Sequence, residues 1–408
     1  MEPTFSYIYS LPYIVLFLMF FLLFLWENKL KKQDADIKIV RYVCMIIFLV
    51  FFGFRGYLDT DFMLYYPLYE STPVITDIRG ITNFFSINAD DFILKIEPGF
   101  KVLLVLLKSI SPNYFLLQIV SSLIDVLFLN YFFKKYSPQY VLGFMMFCIF
   151  SGLIIEINLL RNSKAIFIFI YSLQFLKDRN PYKYFICNSI GLLFHSSAIF
   201  YFPLYFFLHK KLHPAFVWGI FVLGNVLYLG QIRFITPLVI SLGNLLGGVY
   251  ELMAEGYSKD STYSSGYGIT IGYLEKIIIF VLIYKFYSKI VECVNDERTV
   301  NIFFNLLFLF TSTYLLLSEF SVLIDRITTL FAVSYWILFP YLYATLERWA
   351  KMVFSCVLLL FGIYRIYKTN FIITRKYENI LWSNPSISKA YYIANKHLEK
   401  ILNPKKEH

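Results

Sequence analysis

Charge is what this sequence is short of. Of its 408 residues only 16% are Asp, Glu, Lys or Arg, against 58% hydrophobic and 21% aromatic. A soluble domain is about a quarter charged, so a chain this apolar has too little polar surface to cover itself in water. Disorder and a soluble enzyme are excluded together. Cysteine is scarce as well: Cys44, Cys148, Cys187 and Cys356 lie in apolar runs and Cys293 in a charged loop, with no CxxC spacing. That leaves neither a disulfide framework nor a cysteine metal site. No repeat of fixed period is present. No basic stripe with interleaved aromatics occurs in a polar segment, so the net charge of +10 does not point to nucleic acid.

Long apolar runs are what the chain has instead. A bilayer crossing takes about 20 apolar residues. Candidate spans lie at roughly 5–26, 38–54, 113–133, 139–157, 162–176, 214–230, 269–287, 300–318, 320–345 and 351–368. The first is too long for a signal-peptide core and follows no basic residue, which predicts a retained span. Residues 182–208 differ: two short apolar halves meet at His195-Ser196-Ser197, predicting a broken, re-entrant hairpin. A membrane tolerates such backbone only under a cover of protein or beside a water-filled cavity. The expected fold is all-α, a polytopic integral membrane protein of about 10–12 transmembrane helices. One membrane domain covers 1–368, with outer loops 57–97 and 231–268, and a basic tail covers 369–408.

Basic residues orient the spans. Lys29, Lys31, Lys32, Lys38 and Arg41 follow the first run and belong in the cytoplasm. Lys134–Lys135, Lys177–Lys183, Lys210–Lys211 and Arg348–Lys351 share that side if 98–110 is a surface helix and not a span. The N-terminus and the acidic segment 57–97 are then outside, with Asp59, Asp61, Glu70, Asp77, Asp90, Asp91 and Glu97 against Arg79 and Lys95. The tail conflicts with the rule: the count puts it outside, yet it carries Arg375, Lys376, Lys389, Lys396, Lys400, Lys405 and Lys406. Ile387, Tyr391, Ala394, Leu398 and Ile401 have helical spacing, which predicts a basic amphipathic helix on a membrane surface.

A charge within an apolar run costs about 2.5–3.5 kcal/mol on insertion scales, so each needs a reason. Arg55 ends a run in FFGFRGYLDTDF; Glu156, Arg161 and Lys164 interrupt IIEINLLRNSKAIF; His195 sits in LLFHSSAIFYFP; Asp325 and Arg326 sit in SVLIDRITTLFAV. On this topology Arg55, Arg161, Lys164, His195 and Arg326 approach the outer half of the membrane. Cations converging from separate helices suit an anion, and the arginine fork pairs with two phosphate oxygens. Plainer readings stand beside this one: Arg55 as a snorkelling anchor, Asp325–Arg326 as an intramembrane pair, His195 as a satisfied interior histidine. Asp59-Thr60-Asp61 has the DxD spacing of metal-binding transferases, but nothing else indicates a nucleotide, and no metal is expected. A carboxylate there suits a general base for a sugar hydroxyl. Asp90 and Asp91 read as a solvated loop, and His209 and His213, flanking two lysines, as a cytoplasmic boundary. Tyr257, Tyr263 and Tyr267 are placed either to stack on sugars or as interface aromatics.

The ordered series FRGYLDTDFMLYY, EPGF, LLRNSKAIF, LLFHSSAIFYFP and IDRITTLF resembles the EpsG family, Wzy-like bacterial membrane proteins that polymerise polysaccharide repeat units. Arg55, Asp61 and Tyr65 match the first family motif, with Phe62 for the usual Tyr and Thr60 at or beside the usual Gly. Glu97, Pro98 and Gly99 match the second; Arg161 and Asn162 the third, with Asn for the commoner Gln; Phe194, His195, Ser197 and Ala198 the fourth; Arg326 the late arginine. The resemblance spans about residues 40–345.

The resemblance implies a metal-independent glycosyltransferase without cofactor, GT-C-like in architecture, in the bacterial inner membrane with its active site facing outward. A glycan on undecaprenyl diphosphate would be transferred to a lipid-linked repeat unit for O-antigen, capsule or exopolysaccharide, with a flippase and a chain-length regulator as partners. Arg161 and Arg326 would hold the diphosphate, with Arg55 and His195 assisting and Lys164 also binding it. Asp61, Glu97 and His195 would be catalytic, and Tyr65, Tyr257 and Tyr263 would contact sugar. Two other classes remain. A lipid-linked oligosaccharide flippase would need cations along a path across the membrane and internal pseudo-symmetry, which is absent. An O-antigen ligase or membrane acyltransferase would differ in its acceptor, and the EPGF and FHSSA elements favour the polymerase over it.

Overall fold

The apolar runs become helices wherever the structure, a computed structural model, describes them: residues 3–86, 96–232, 268–319 and 327–402, with 235, 237, 240 and 241. In chain order these are α1 (Tyr7–Lys32), α2 (Lys38–Phe48), α3 (Phe62–Ser71), α4 (Ile78–Ser86), α5 (Pro98–Ile110), α6 (Phe115–Tyr136), α7 (Tyr140–Phe147), α8 (Leu153–Asn158), α9 (Leu160–Lys177) and α10 (Pro181–Leu192). Then follow α11 (Pro214–Leu229), α12 (Ile271–Val294), α13 (Glu297–Leu316), α14 (Val333–Thr345), α15 (Arg348–Asn370) and α16 (Ile387–Leu402). Among the described residues there are no strands, only isolated bridges at Phe5–Ile372 and Arg55–Asn379.

The protein is an all-α polytopic membrane protein. Five described stretches are long and apolar enough to cross a bilayer: α1, α6, Tyr140–Asn158, α13 and α15. On α1, Ile8, Leu11, Val15, Leu18, Leu22 and Leu25 recur at helical steps and stand exposed, a stripe that belongs against lipid. Several other candidate spans are shorter than a crossing, while α12, at 24 residues, is long enough but carries more charge. Residues 38–54 form α2 and a π-helical turn, Leu49–Gly53. The hairpin over 182–208 breaks where the sequence predicts: α10 ends at Leu192, His195 is extended, and a 3₁₀ turn runs Ser196–Tyr201. Helix α5 has thirteen residues and does not cross. Ser109 Oγ accepts from Ile75 N at 2.7 Å and Ser111 O accepts from Tyr69 OH at 2.8 Å, which hold its far end against α3.

The chain divides into two compact units, residues 1–205 with 346–408, and residues 206–345. In the first, α1 and α15 lie antiparallel. A Cβ on Gly362 would fall 2.4 Å from Phe17 Cζ, so only glycine permits this approach. At one end the buried Glu27 carboxylate accepts from Tyr140 N and Val141 N, each at 2.8 Å, capping the orphan amides of α7. That end also carries Lys31, Lys134, Lys135 and Lys177 in the last turns of α1, α6 and α9.

The opposite end holds the start of α1, the end of α15 and a strap formed by residues 371–383. Ser6 N donates to Phe371 O, Asp59 N to Thr374 O and Gly56 N to Glu378 O, each at 2.8 Å, and Ile380 N donates to Phe54 O at 2.9 Å. Asn379, fully buried, donates to Val50 O at 2.8 Å. The start of the tail is therefore packed within the first unit. Its basic character has a local partner, because Arg375 meets Asp59 of the acidic loop at 2.6 Å. Beyond the strap, Tyr391 on α16 packs edge-on against Phe62.

In the second unit, α13 packs against α11, α12 and α14. Phe221 stacks on Phe280 at 4.6 Å, and Asn305 Nδ2 ties α13 to Leu208 O at 2.9 Å.

Candidate active site

Four of the five motif segments meet at the strap end of the first unit. Pro98 opens α5, where its missing N–H is no loss, and Glu97 precedes it with extended backbone. Glu97 Oε2 accepts from Arg161 Nη1 at 2.6 Å, and Glu97 Oε1 accepts from Ser196 N at 3.1 Å. Arg161 stands in the first turn of α9, directly after the break at Leu159 that separates it from α8. Its Nε donates to Tyr65 OH at 3.4 Å. Asn162 Oδ1 accepts from Ser197 Oγ at 2.7 Å, so neighbouring residues of one motif hold two others.

His195 caps the 3₁₀ turn with its own ring. Ser197 N donates to His195 Nδ1 at 3.1 Å, and Ser197 Oγ lies 2.8 Å from the same nitrogen. Accepting the amide assigns the proton of the neutral ring to Nε2.

Gly99 explains why EPGF needs its glycine. Gly99 N donates to Leu193 O at 2.7 Å, and a Cβ on Gly99 would lie 2.7 Å from that same oxygen. Gly99→Ala is expected to cost about 1–3 kcal/mol through forced separation of the two segments. Thermal unfolding of the detergent-solubilised protein checks it, as a midpoint lowered relative to wild type.

The cluster is reachable and charged. The Arg161 and Glu97 side chains are 18% and 16% exposed. Arg161 Nη2 has no hydrogen-bond partner among the described residues. Burial pushes the Tyr65 phenol above its ordinary value, with the Arg161 charge pulling against it. Asp61, one helical turn before Tyr65 at the start of α3, also raises that phenol through its charge. Such an arrangement offers a guanidinium held in orientation by a carboxylate, beside a second carboxylate and an imidazole, the set of groups an anionic leaving group and a hydroxyl nucleophile require.

Not every expected residue joins it. Arg55 is 2% exposed; it donates to Phe52 O, to Glu156 O at 2.7 Å and to Ser122 Oγ at 3.4 Å, bracing the end of α8 behind the site. Lys164 is 3% exposed and pairs with Asp125 Oδ2 at 2.5 Å on the inward face of α9. Both donors, expected to bind a diphosphate, here meet acceptors inside the helix packing. The Tyr65 ring is 4% exposed and packed edge-on against Phe100, so it has no free face for a sugar, and its hydroxyl serves Arg161. Asp59, the first DxD carboxylate, is occupied by Arg375 and by Asn158 Nδ2 at 2.8 Å. Arg326, Tyr257, Tyr263, Asp325, Asp90 and Asp91 lie outside the described residues.

Asp125 is the partner the sequence reading missed, although an Asp in the middle of the run SSLIDVLFLN carries the same signal as Glu156. Asn158 and Arg375 carry no such signal, being polar residues near segment ends.

The family model described as EpsG family matches residues 37–381, a range that takes in every segment of this cluster and most of the strap. No curated protein and no solved structure matches the chain.

Proposed function

We propose a function from one premise: this chain belongs to the EpsG family. It extends a polysaccharide by transferring a glycan from undecaprenyl diphosphate to the hydroxyl of a lipid-linked repeat unit, at the outer face of a bacterial inner membrane. The observation that carries this reading is the Arg161–Glu97 pair at 2.6 Å, held by Tyr65 and the Ser196 amide where four motif segments meet.

In this reaction the acceptor oxygen bonds to the anomeric carbon while the bond from that carbon to the diphosphate oxygen breaks. The electron pair leaves with the lipid diphosphate, and the hydroxyl proton passes to a carboxylate. Arg161 faces the developing charge, with Nη2 toward the ligand, and a preorganised cation there supplies the largest catalytic contribution. Glu97 holds Arg161 with one carboxylate oxygen and the Ser196 amide with the other, and Asp61, which begins the helix carrying Tyr65, takes the proton. His195 donates from Nε2 to a diphosphate oxygen. The lysine-rich end of the first unit faces the cytoplasm by the positive-inside rule, which turns the cluster outward. The reaction implies a flippase to supply its substrate and a chain-length regulator to end it.

Deleting the gene is expected to leave surface glycan of a single repeat unit, read by gel and mass analysis of the extracted polysaccharide. Loss of all surface glycan, with lipid-linked units retained inside, would assign the protein to transport instead.

A further inference from the structure

We infer that Arg375, on the C-terminal strap, is a positioning residue for the Arg161 cluster, acting through Asp59. Asp59 sits in the left-handed region at φ 58°, a conformation that a residue other than glycine keeps only when its surroundings hold it. Three contacts hold it. Arg375 Nη2 lies 2.6 Å from Asp59 Oδ2, Asn158 Nδ2 donates to the same oxygen at 2.8 Å, and Asp59 N donates to Thr374 O at 2.8 Å.

Two of the segments joined here carry site residues. Two residues past Asp59 is Asp61, which opens the helix carrying Tyr65. Three residues past Asn158 is Arg161, across the break between α8 and α9. One carboxylate oxygen therefore sets the spacing between the two segments that supply the base and the guanidinium, and Arg375 fixes that carboxylate from a third segment. Arg375 is 8% exposed, and its Nη1 is buried with no hydrogen-bond partner among the described residues. A buried and incompletely satisfied ion pair is a poor source of stability, which favours geometry as its role here. The family match runs to residue 381, past Arg375.

The inference rests on the proposed polymerase reaction for its kinetic arm alone. The full-length protein in lipid nanodiscs, given a synthetic lipid-diphosphate repeat unit, is assayed as wild type, Arg375→Ala, Arg375→Lys and Asp59→Asn. Misplacing catalytic groups by about 1 Å costs about 100-fold, so Arg375→Ala is expected to lower kcat per folded molecule by about that factor with KM little changed. Arg375→Lys, which keeps one charged donor, is expected to recover most of the loss. A fall in folded yield with wild-type kcat per folded molecule would mark the pair as merely structural and overturn the inference. If Arg375→Ala does not fold, Arg375→Lys and Asp59→Asn carry the same test. Amide hydrogen exchange supplies the arm that needs no activity: in the variants, exchange over 61–65 and 159–163 is expected to rise about tenfold, with α12 and α13 unchanged. If wild type extends no chain, the polymerase reading fails and exchange alone decides; unchanged protection in the variants would then refute the positioning role.

Discussion

Arg161→Ala is expected to lower the rate of chain extension by about 10²–10³, the loss of about 2.7–4 kcal/mol that follows removal of one preorganised donor at a developing negative charge. The fold should survive. The Arg161–Glu97 pair is partly exposed, with side chains 18% and 16% accessible, and pairs of that kind contribute about 0–1 kcal/mol. Membrane abundance and thermal midpoint should stay close to wild type while turnover of a lipid-linked repeat unit collapses. Arg161→Lys should fall between the two, because an ammonium keeps the charge but cannot hold Glu97 and a diphosphate oxygen with separate arms of one planar fork. Wild-type chain lengths from Arg161→Ala would remove this residue from the reaction.

Lys164→Met is expected to act on the opposite quantity. Lys164 and Asp125 pair at 2.5 Å with side chains 3% and 2% exposed. Removing the lysine strands a buried carboxylate, which typically costs about 3–5 kcal/mol, whereas replacing both partners by apolar groups is often close to neutral. The single variant should therefore reach the membrane poorly and unfold at much lower temperature. The double variant, Lys164→Met with Asp125→Leu, should recover most of that stability and still extend chains. The double variant separates the two roles considered for this lysine: if Lys164 holds a diphosphate, the repaired protein is folded and inactive. Measured unfolding midpoints and turnover for both variants decide between them.

Three residues close together in α9 thus have three different duties. Arg161 faces Glu97 and Tyr65, Asn162 holds the hydroxyl of Ser197, and Lys164 turns inward to Asp125. A helix separates successive residues by about 100°, so a segment such as LLRNSKAIF presents its polar side chains to different neighbours. The neighbours decide the role, and they come from α3, the residue that caps α5, the His195 turn and α6.

What the sequence by itself determined is the class of the protein and the segments that matter. Scarce charge and long apolar runs require a membrane, because no arrangement of this composition covers itself in water. The broken hairpin at His195 was legible from two short apolar halves, and the importance of LLRNS and FHSSA from charged residues that a bilayer admits only for a reason, whereas EPGF entered only through the family resemblance. The tertiary structure alone decided which of those charges are available. Arg55 and Arg161 are equally costly in a linear sequence. One meets a local carbonyl, a distant carbonyl and a serine hydroxyl inside the packing, and the other reaches a carboxylate at an accessible edge. The strap is the clearest case: Arg375 meets Asp59 across more than three hundred residues. No periodicity or spacing encodes such a contact, because the partner's charge is local chemistry while its proximity is set by how α1 and α15 pack and bring the two chain ends together.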